Sequence, residues 1–192
     1  MVYKCFKRGA DTVLSFLLIV MLAIPMAGIG LLIRCSSRGG AIFRQERIGR
    51  DGVSFICYKF RTMYREAPKN CPSALLSDRS RWVTPVGATL RRTSLDELPQ
   101  LFNVLKGDMS LVGPRPLIPR ERAVHEMRHR YGADRLRPGI TGLSQVSGRD
   151  LVDDRRKAAL DGRYVRRMCL WEDLRILGLT VWQTLLTRGV GE

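Results

Sequence analysis

Residues 13–33 read VLSFLLIVMLAIPMAGIGLLI, a run of 21 residues without a charged side chain. About 20 helical residues cross the hydrocarbon core of a bilayer, so this run is long enough to be a membrane span. A cleaved signal peptide is the competing interpretation. It is disfavoured because no clear cleavage site separates the apolar run from the basic residues that follow at once.

Pro25 lies inside this apolar run, and proline kinks or breaks a helix because it lacks a backbone donor. The 12 residues before it would rise only about 18 Å, well short of a core of about 30 Å. Both flanks are basic, with Lys4, Lys7, Arg8, Arg34 and Arg38. The positive-inside rule then gives no orientation unless both ends stay cytoplasmic. We predict a re-entrant hairpin that turns at Pro25, with a kinked full span as the alternative.

This anchor comprises residues 1–36, and residues 37–192 form the predicted cytoplasmic domain. The expected fold class is α+β, with the re-entrant helix hairpin followed by a mostly helical domain that contains a small β-hairpin. Residues 41–63 predict the β-hairpin because apolar and polar residues alternate on either side of a Gly-Arg-Asp-Gly turn. Helical spacing recurs from Val86 onward, and residues 164–186 predict an amphipathic C-terminal helix. Its tryptophans, Trp171 and Trp182, suit either a membrane interface or core packing.

The chain is strongly basic, with 33 Lys plus Arg against 18 Asp plus Glu and a formal net charge of +15. Only six of these cations are lysines, and the planar fork of arginine suits phosphate and carboxylate groups. The balance fits nucleic acid, an anionic membrane surface or a phosphorylated substrate, and composition does not choose among them. The five cysteines are scattered without a C-x-x-C pair, which argues against a disulfide framework or a zinc ribbon.

Asp96 and Glu97 form the first candidate site. Ser94 to Glu97 matches the capping box S-x-x-E, which would place both carboxylates in a first helical turn, where free N–H groups also attract phosphate. Ordinary first-turn residues are the alternative interpretation. Arginines beside glycine and proline lie on stiff backbone, which favours fixed anion sites. The phosphate-binding candidates are Arg91, Arg115, Arg137 and Arg149, with Lys59 and Arg61 of the hairpin as weaker ones.

Residues 125–129 read HEMRH, which matches the zinc protease pattern H-E-x-x-H. These are the only two histidines of the chain, so a third ligand would have to be a carboxylate or a cysteine. The strongly cationic flanks are poor surroundings for a buried zinc ion. We therefore interpret the segment as a solvated helix face.

Six segments give the chain a resemblance to a known family. They are KRGAD (7–11), FRQERIG (43–49), YKFRTM (58–63), LDELPQL (95–101), GDMSLVGPRP (107–116) and RPGITG (137–142). In this order they resemble the bacterial sugar transferase family, the monotopic polyprenyl-phosphate phosphoglycosyl transferases, from about Lys4 to Leu186. The chain resembles the small members, which have the catalytic core without a further N-terminal membrane region.

The resemblance implies an enzyme on the cytoplasmic face of the bacterial inner membrane, with both termini cytoplasmic. It would transfer a sugar 1-phosphate from a UDP-sugar to undecaprenyl phosphate and release UMP, as the first membrane step of a surface glycan pathway. In the family the aspartate of the Asp-Glu pair is a nucleophile that forms a covalent phosphosugar intermediate, with Mg²⁺ present. The corresponding residues here are Asp96 and Glu97, which are also the expected Mg²⁺ ligands.

The expected partners are the UDP-sugar, undecaprenyl phosphate and membrane lipids, without nucleic acid, and a homodimer is allowed. Two departures from the family pattern stand out: Ile24 precedes Pro25 where many relatives have serine, and residues 78–84 are a loose version of the family's segment. Two alternative functions come from other classes. A membrane-tethered nucleic-acid-binding protein would use the basic surface but leaves the Asp-Glu pair unexplained, and a zinc protease would use the two histidines.

Overall fold

The computed structural model describes residues 2–67, 79–148 and 153–186. It is an α+β fold, mostly helical, as the sequence predicts. The helices are α1 (Val2–Ser36), α2 (Pro85–Arg92), α3 (Gln100–Lys106), α4 (Arg122–Arg130), α5 (Leu143–Val146), α6 (Asp154–Arg167) and α7 (Leu170–Leu185). The strands are β1 (Ile42–Ile48), β2 (Ser54–Phe60), β3 (Ser110–Val112) and β4 (Gly139–Thr141).

Helix α1 corrects the prediction of a break at Pro25. Helical backbone continues through Pro25 from Val2 to Ser36, so the structure does not show a hairpin of two helices. A proline costs one hydrogen bond and crowds the preceding turn, and a long helix can accommodate this as a kink. By length and composition alone, α1 is a helix that could cross a membrane.

Both ends of α1 are attached to the rest of the fold. Near its start, Lys7 Nζ lies 2.7 Å from Asp173 Oδ2, and Arg8 Nη1 donates to the Val104 carbonyl over 2.7 Å. Near its end, Ile33 is buried in a small core with Phe60 of β2. Between these attachments one face of α1 packs on the domain, and the other carries exposed large apolar side chains, among them Leu17, Val20, Met21 and Ile24. The helix therefore has anchored ends and an apolar face in between.

The predicted β-hairpin is confirmed. Strands β1 and β2 pair antiparallel, with Phe43 opposite Lys59 and Arg47 opposite Phe55. A 3₁₀ turn joins them, and Asp51 adopts φ 55° in this turn, a left-handed conformation that aspartate tolerates better than most residues. Side chains alternate across the strand pair, so residue 47 of β1 and residues 57 and 59 of β2 share one face.

Helix α3 packs against the outer edge of β2 through Asn103, which is fully buried. Its Oδ1 accepts from the Tyr58 N–H over 3.0 Å, and its Nδ2 donates to the Ile56 carbonyl over 2.7 Å. The amide therefore replaces the next strand of a ladder and fixes α3 beside the hairpin. The main core lies around α3 and contains Cys57, Leu101, Val104, Met109, Leu111, Val112, Leu143, Val146, Tyr164 and Ile176.

Two helices replace the single C-terminal helix predicted over residues 164–186. Helix α6 ends at Arg167, and α7 begins at Leu170 after Cys169 takes an extended conformation. The apolar stripe of α7 faces outward, since Trp171 and Trp182 are 75% and 61% exposed. This exposure excludes the core-packing interpretation of these two tryptophans. Asp173 of α7 accepts from the Tyr164 hydroxyl over 2.6 Å, which joins the two helices inside the fold.

Candidate active site

The Asp-Glu pair lies in a tight turn between α2 and α3. Leu95–Glu97 form a 3₁₀ turn, and Ser94 before it has φ 57°. The predicted capping box is wrong, because the Ser94 side chain does not cap this turn and α3 begins only at Gln100 after Pro99. A capping residue needs extended backbone, whereas Ser94 must reverse the chain directly after α2. Left-handed backbone at a non-glycine residue is a form of strain that concentrates at functional sites.

The two carboxylates differ in their surroundings. Glu97 Oε1 lies 2.6 Å from Lys59 Nζ, which arrives from the end of β2. Burial, and next the neighbouring charge of Glu97, raise the pKa of Asp96 to about 6. Lys59 and Arg91 act against this rise. At neutral pH the negative charge of Asp96 is therefore only partly balanced by nearby positive charges. Contact with a cation or an electrophile would stabilise it.

Arg91 and Lys59 are the sequence-predicted cations that the structure brings to the acidic pair. Arg91 is in the last turn of α2, and its Nε donates to Thr62 Oγ1 over 2.8 Å. This bond orients the guanidinium beside Asp96, whose pKa responds to its charge. A guanidinium that is oriented by a hydroxyl group and lies near a carboxylate is suited to bind a phosphate group.

Arg47 belongs to the same site, although the sequence did not single it out. It is partly buried, and burial and then the charge of Arg115 lower its pKa, while Glu97 is one of three groups that oppose this effect. Its Nη1 donates to the Pro116 carbonyl over 3.0 Å, and its Nη2 donates to Gln45 Oε1 over 2.7 Å. Two guanidinium groups that repel each other form an electropositive patch suited to an anion, and Arg47 also interacts with the charge of Glu97.

Arg61 and Arg137 are placed away from the acidic pair. The Arg61 guanidinium donates to the Ser37 and Arg38 carbonyls, with bonds of 2.8 and 2.6 Å after the end of α1. Arg137 Nε donates to the Gly107 carbonyl over 2.8 Å, beyond the end of α3 opposite to the acidic pair. Both arginines thus bind carbonyl groups at helix C-termini, where a cation is stabilised. Arg149 lies outside the described residues.

The carboxylates of the Asp-Glu pair are also suitable ligands for Mg²⁺. Within the described parts of the chain, no cluster of three or more histidine, cysteine or acidic residues could hold a metal ion. Mg²⁺ does not require one, because it is commonly bound by one or two carboxylates together with substrate phosphates and water. The repulsion between Asp96 and Glu97, which raises the Asp96 pKa, is also what a divalent cation would relieve. The residues present therefore fit Mg²⁺ delivered with a diphosphate.

The HEMRH segment lies on α4 and is not uniformly solvated, which corrects that interpretation. His129 Nδ1 lies 2.6 Å from Asp134 Oδ2 and is exposed. Arg128, between the two histidines, is only 4% exposed and is paired with Asp161. The segment thus contributes a buried guanidinium to the fold.

The apolar helix α1, attached to the domain, suggests membrane association, and an acidic pair among cationic side chains is suited to phosphate groups. The chain belongs to the bacterial sugar transferase family, whose profile matches residues 2–187.

Three relatives illustrate the range of this similarity. The undecaprenyl-phosphate glucose phosphotransferase of Komagataeibacter xylinus is 41% identical, over 95% of this chain and 36% of that protein. The UDP-glucose:undecaprenyl-phosphate glucose-1-phosphate transferase of Escherichia coli K12 is 37% identical, over 97% of this chain and 42% of that protein. The exopolysaccharide production protein ExoY of Sinorhizobium fredii is 37% identical, over 95% of this chain and 87% of that protein. The chain thus spans about two fifths of the length of the first two relatives and most of the third.

Proposed function

We propose that the protein transfers a sugar 1-phosphate from a UDP-sugar to undecaprenyl phosphate and releases UMP. The observation that carries this proposal is Asp96, a partly buried carboxylate with a pKa of about 6 whose charge interacts with those of Lys59 and Arg91. Relatives named for undecaprenyl-phosphate hexose transfer and for exopolysaccharide production support the same chemistry. The product would then begin the assembly of a bacterial surface glycan on its lipid carrier.

The proposed reaction has two displacements at one phosphorus atom. In the first, an Asp96 oxygen bonds to the β-phosphorus of the UDP-sugar, and the bond from that phosphorus to the bridging oxygen breaks, so UMP leaves with both electrons. In the second, an oxygen of undecaprenyl phosphate bonds to the same phosphorus and the Asp96 carboxylate is released. A covalent intermediate divides one difficult transfer into two easier ones.

The surrounding cations would stabilise the negative charge that accumulates in both steps. Arg47, Arg91 and Arg115 would bind the diphosphate, and Lys59 would hold Glu97 beside the nucleophile. Asp96 and Glu97 would hold Mg²⁺, which supplies charge neutralisation of the diphosphate. Asp96 is deprotonated at neutral pH in most molecules, because its pKa of about 6 lies below 7.

The attachment of α1 at both ends supports a topology in which the chain does not cross the membrane. Between Asp11 and Ile33, which are both buried against the domain, an α-helix rises about 33 Å. A span of this length would place the two residues on opposite sides of a core of about 30 Å. One water-exposed domain could not then hold both ends. The exposed apolar face of α1 would instead insert into the cytoplasmic leaflet, and both ends of the helix would lie at the cytoplasmic face.

The test is a screen of UDP-sugars with undecaprenyl phosphate, read by UMP release from the purified protein in nanodiscs. Asp96→Asn should abolish turnover while membrane insertion and folding are retained, because an amide does not attack phosphorus. Asp154→Asn is the matched control, since that aspartate is exposed on α6. Wild-type enzyme incubated with donor alone should carry a phosphosugar on Asp96, detectable by mass spectrometry. Retained activity in Asp96→Asn would refute the nucleophile assignment, and activity in excess EDTA would remove Mg²⁺ from the proposal.

A further inference from the structure

The GPRP connector, residues 113–116, is held through its carbonyl oxygens. Its two prolines have no N–H, so hydrogen bonds to the carbonyl groups are the main way to fix this backbone. From Pro114 to Leu117, four successive carbonyls accept from Gly139 N (2.8 Å), Arg128 Nη1 (2.6 Å), Arg47 Nη1 (3.0 Å) and Ile48 N (2.8 Å). The backbone that carries the Arg115 side chain is therefore fixed at each step.

Arg128 is the donor that bonds to Arg115 itself. It is 4% exposed, and its Nη2 lies 2.6 Å from Oδ2 of Asp161, which is 1% exposed. The Ser144 hydroxyl donates to the other oxygen of Asp161 over 2.8 Å. One carboxylate thus directs the guanidinium, and the other end of that guanidinium reaches the Arg115 carbonyl.

A buried ion pair is a weak source of stability, because removing two charges from water offsets much of their attraction. What this pair does provide is a rigid fork of fixed orientation. An ammonium group in the place of Arg128 would keep the charge opposite Asp161 but would lose one of the two divergent bonds. The geometry is thus better explained by orientation than by charge alone.

We infer that Arg128, oriented by Asp161 and Ser144, is a positioning residue that sets the Arg115 guanidinium for binding the phosphates of the sugar donor. This inference rests on the proposed function, in which Arg115 binds the diphosphate. It gives a role to the HEMRH segment, whose arginine is directed inward by α4. Displacement of a binding group by about 1 Å can reduce a rate by as much as about 100-fold, so the effect is measurable.

The primary test is Arg128→Lys, assayed in nanodiscs with the UDP-sugar identified by the screen. We expect the donor KM to rise between about 10- and 100-fold. The KM for undecaprenyl phosphate should stay near its wild-type value, and the melting temperature should stay above the assay temperature. Arg130→Lys is the matched control, because that residue is exposed on the same helix, and it should leave all three quantities unchanged. An unchanged donor KM in folded Arg128→Lys would overturn the inference.

A double-mutant cycle separates positioning of Arg115 from any independent role. In an Arg115→Lys background, Arg128→Lys should raise the donor KM less than about threefold further, because the positioned group is already lost. If the fold-increases in donor KM of the two single variants multiply in the double variant, Arg128 acts elsewhere. If Arg115→Lys alone leaves the donor KM unchanged, the diphosphate role within the proposed function fails. If Arg115→Lys is costly and Arg128→Lys is not, only the present inference fails.

A second variant covers the case in which Arg128→Lys does not fold. Replacing the ion pair by Arg128→Met with Asp161→Leu removes both buried charges together, and apolar replacement of a buried pair is often tolerated. This pair variant also lacks the bond to the Arg115 carbonyl. It should show the same rise in donor KM, and a wild-type donor KM would overturn the inference.

Discussion

The acidity of Asp96 links the chemistry of the site to the stability of the fold. Burial and Glu97 raise its pKa from 3.8 to about 6, so the folded state favours the protonated form. The stability that this provides is complete below about pH 4 and is lost as pH rises through about 6. Without divalent metal, Asp96→Asn should therefore stabilise the protein at pH 7.5, by about 1–2 kcal/mol after allowance for solvent contact, and hardly at pH 4.

Denaturation of both proteins in EDTA at the two pH values measures this difference. Asp154→Asn is the control and should show no gain in stability at pH 7.5, because that carboxylate is exposed in the first turn of α6. A stability difference between Asp96→Asn and wild type that is the same at both pH values would mean that the environment of Asp96 is not the one described.

Arg47 offers a second test at the scale of single residues. Arg47→Lys should reduce donor kcat/KM by about 10- to 100-fold, because hydrogen bonds to charged groups are worth about 1.5–3 kcal/mol and an ammonium loses the fork. The UMP-release assay measures this change. Arg44→Lys is the matched control, since residue 44 lies on the opposite face of the same strand and is exposed. Equal donor kcat/KM values for the two variants would show that Arg47 has a purely structural role.

Sequence reasoning found part of this site and missed part of it, for physical reasons. Arg91 lies near Asp96 because the two are close along the chain, whereas Lys59 reaches Glu97 from β2, 38 residues away in sequence. An arginine beside glycine or proline can equally bind the carbonyls of a helix terminus, and Arg61 and Arg137 are placed in this way. Arg47 was missed although strand alternation across the hairpin puts it on the face of Lys59, and that period of two was the usable signal.

At the scale of elements, the attachment of α3 to β2 depends on one side chain. Asn103 satisfies two backbone groups of β2 while it is fully buried. Asn103→Leu would leave both groups without a partner, so we expect a loss of about 2–4 kcal/mol in the free energy of unfolding. Chemical denaturation in detergent measures this loss. Gln183→Leu on α7 is a milder comparison, because its side chain donates one hydrogen bond, to Val146, and is less buried. A loss no greater than that of Gln183→Leu would contradict the attachment role.

The boundaries of elements were less predictable than their existence. The hairpin follows from alternation and a strong turn signal, both of which are local. Pro25 was expected to end a helix, but a single missing hydrogen bond does not decide the path of a 35-residue helix whose two ends are held by tertiary contacts. No glycine or proline marks the end of α6 at Arg167. The polar contacts of Asp173 with Tyr164 and with Tyr3 of α1 are not visible in any local pattern.

At the scale of the whole molecule, topology can be tested with two cysteines of the chain. Cys5 and Cys35 lie near the two ends of α1 and are exposed. Variants that keep only one of them should react with a membrane-impermeant maleimide in inverted vesicles, and not in intact spheroplasts. Cys169 alone, which is exposed at the start of α7, is the matched control for the domain and should behave in the same way. Reaction of Cys5 from outside, with Cys35 protected, would show that α1 spans the membrane. The ion pair of Lys7 with Asp173 could not then exist in the native membrane.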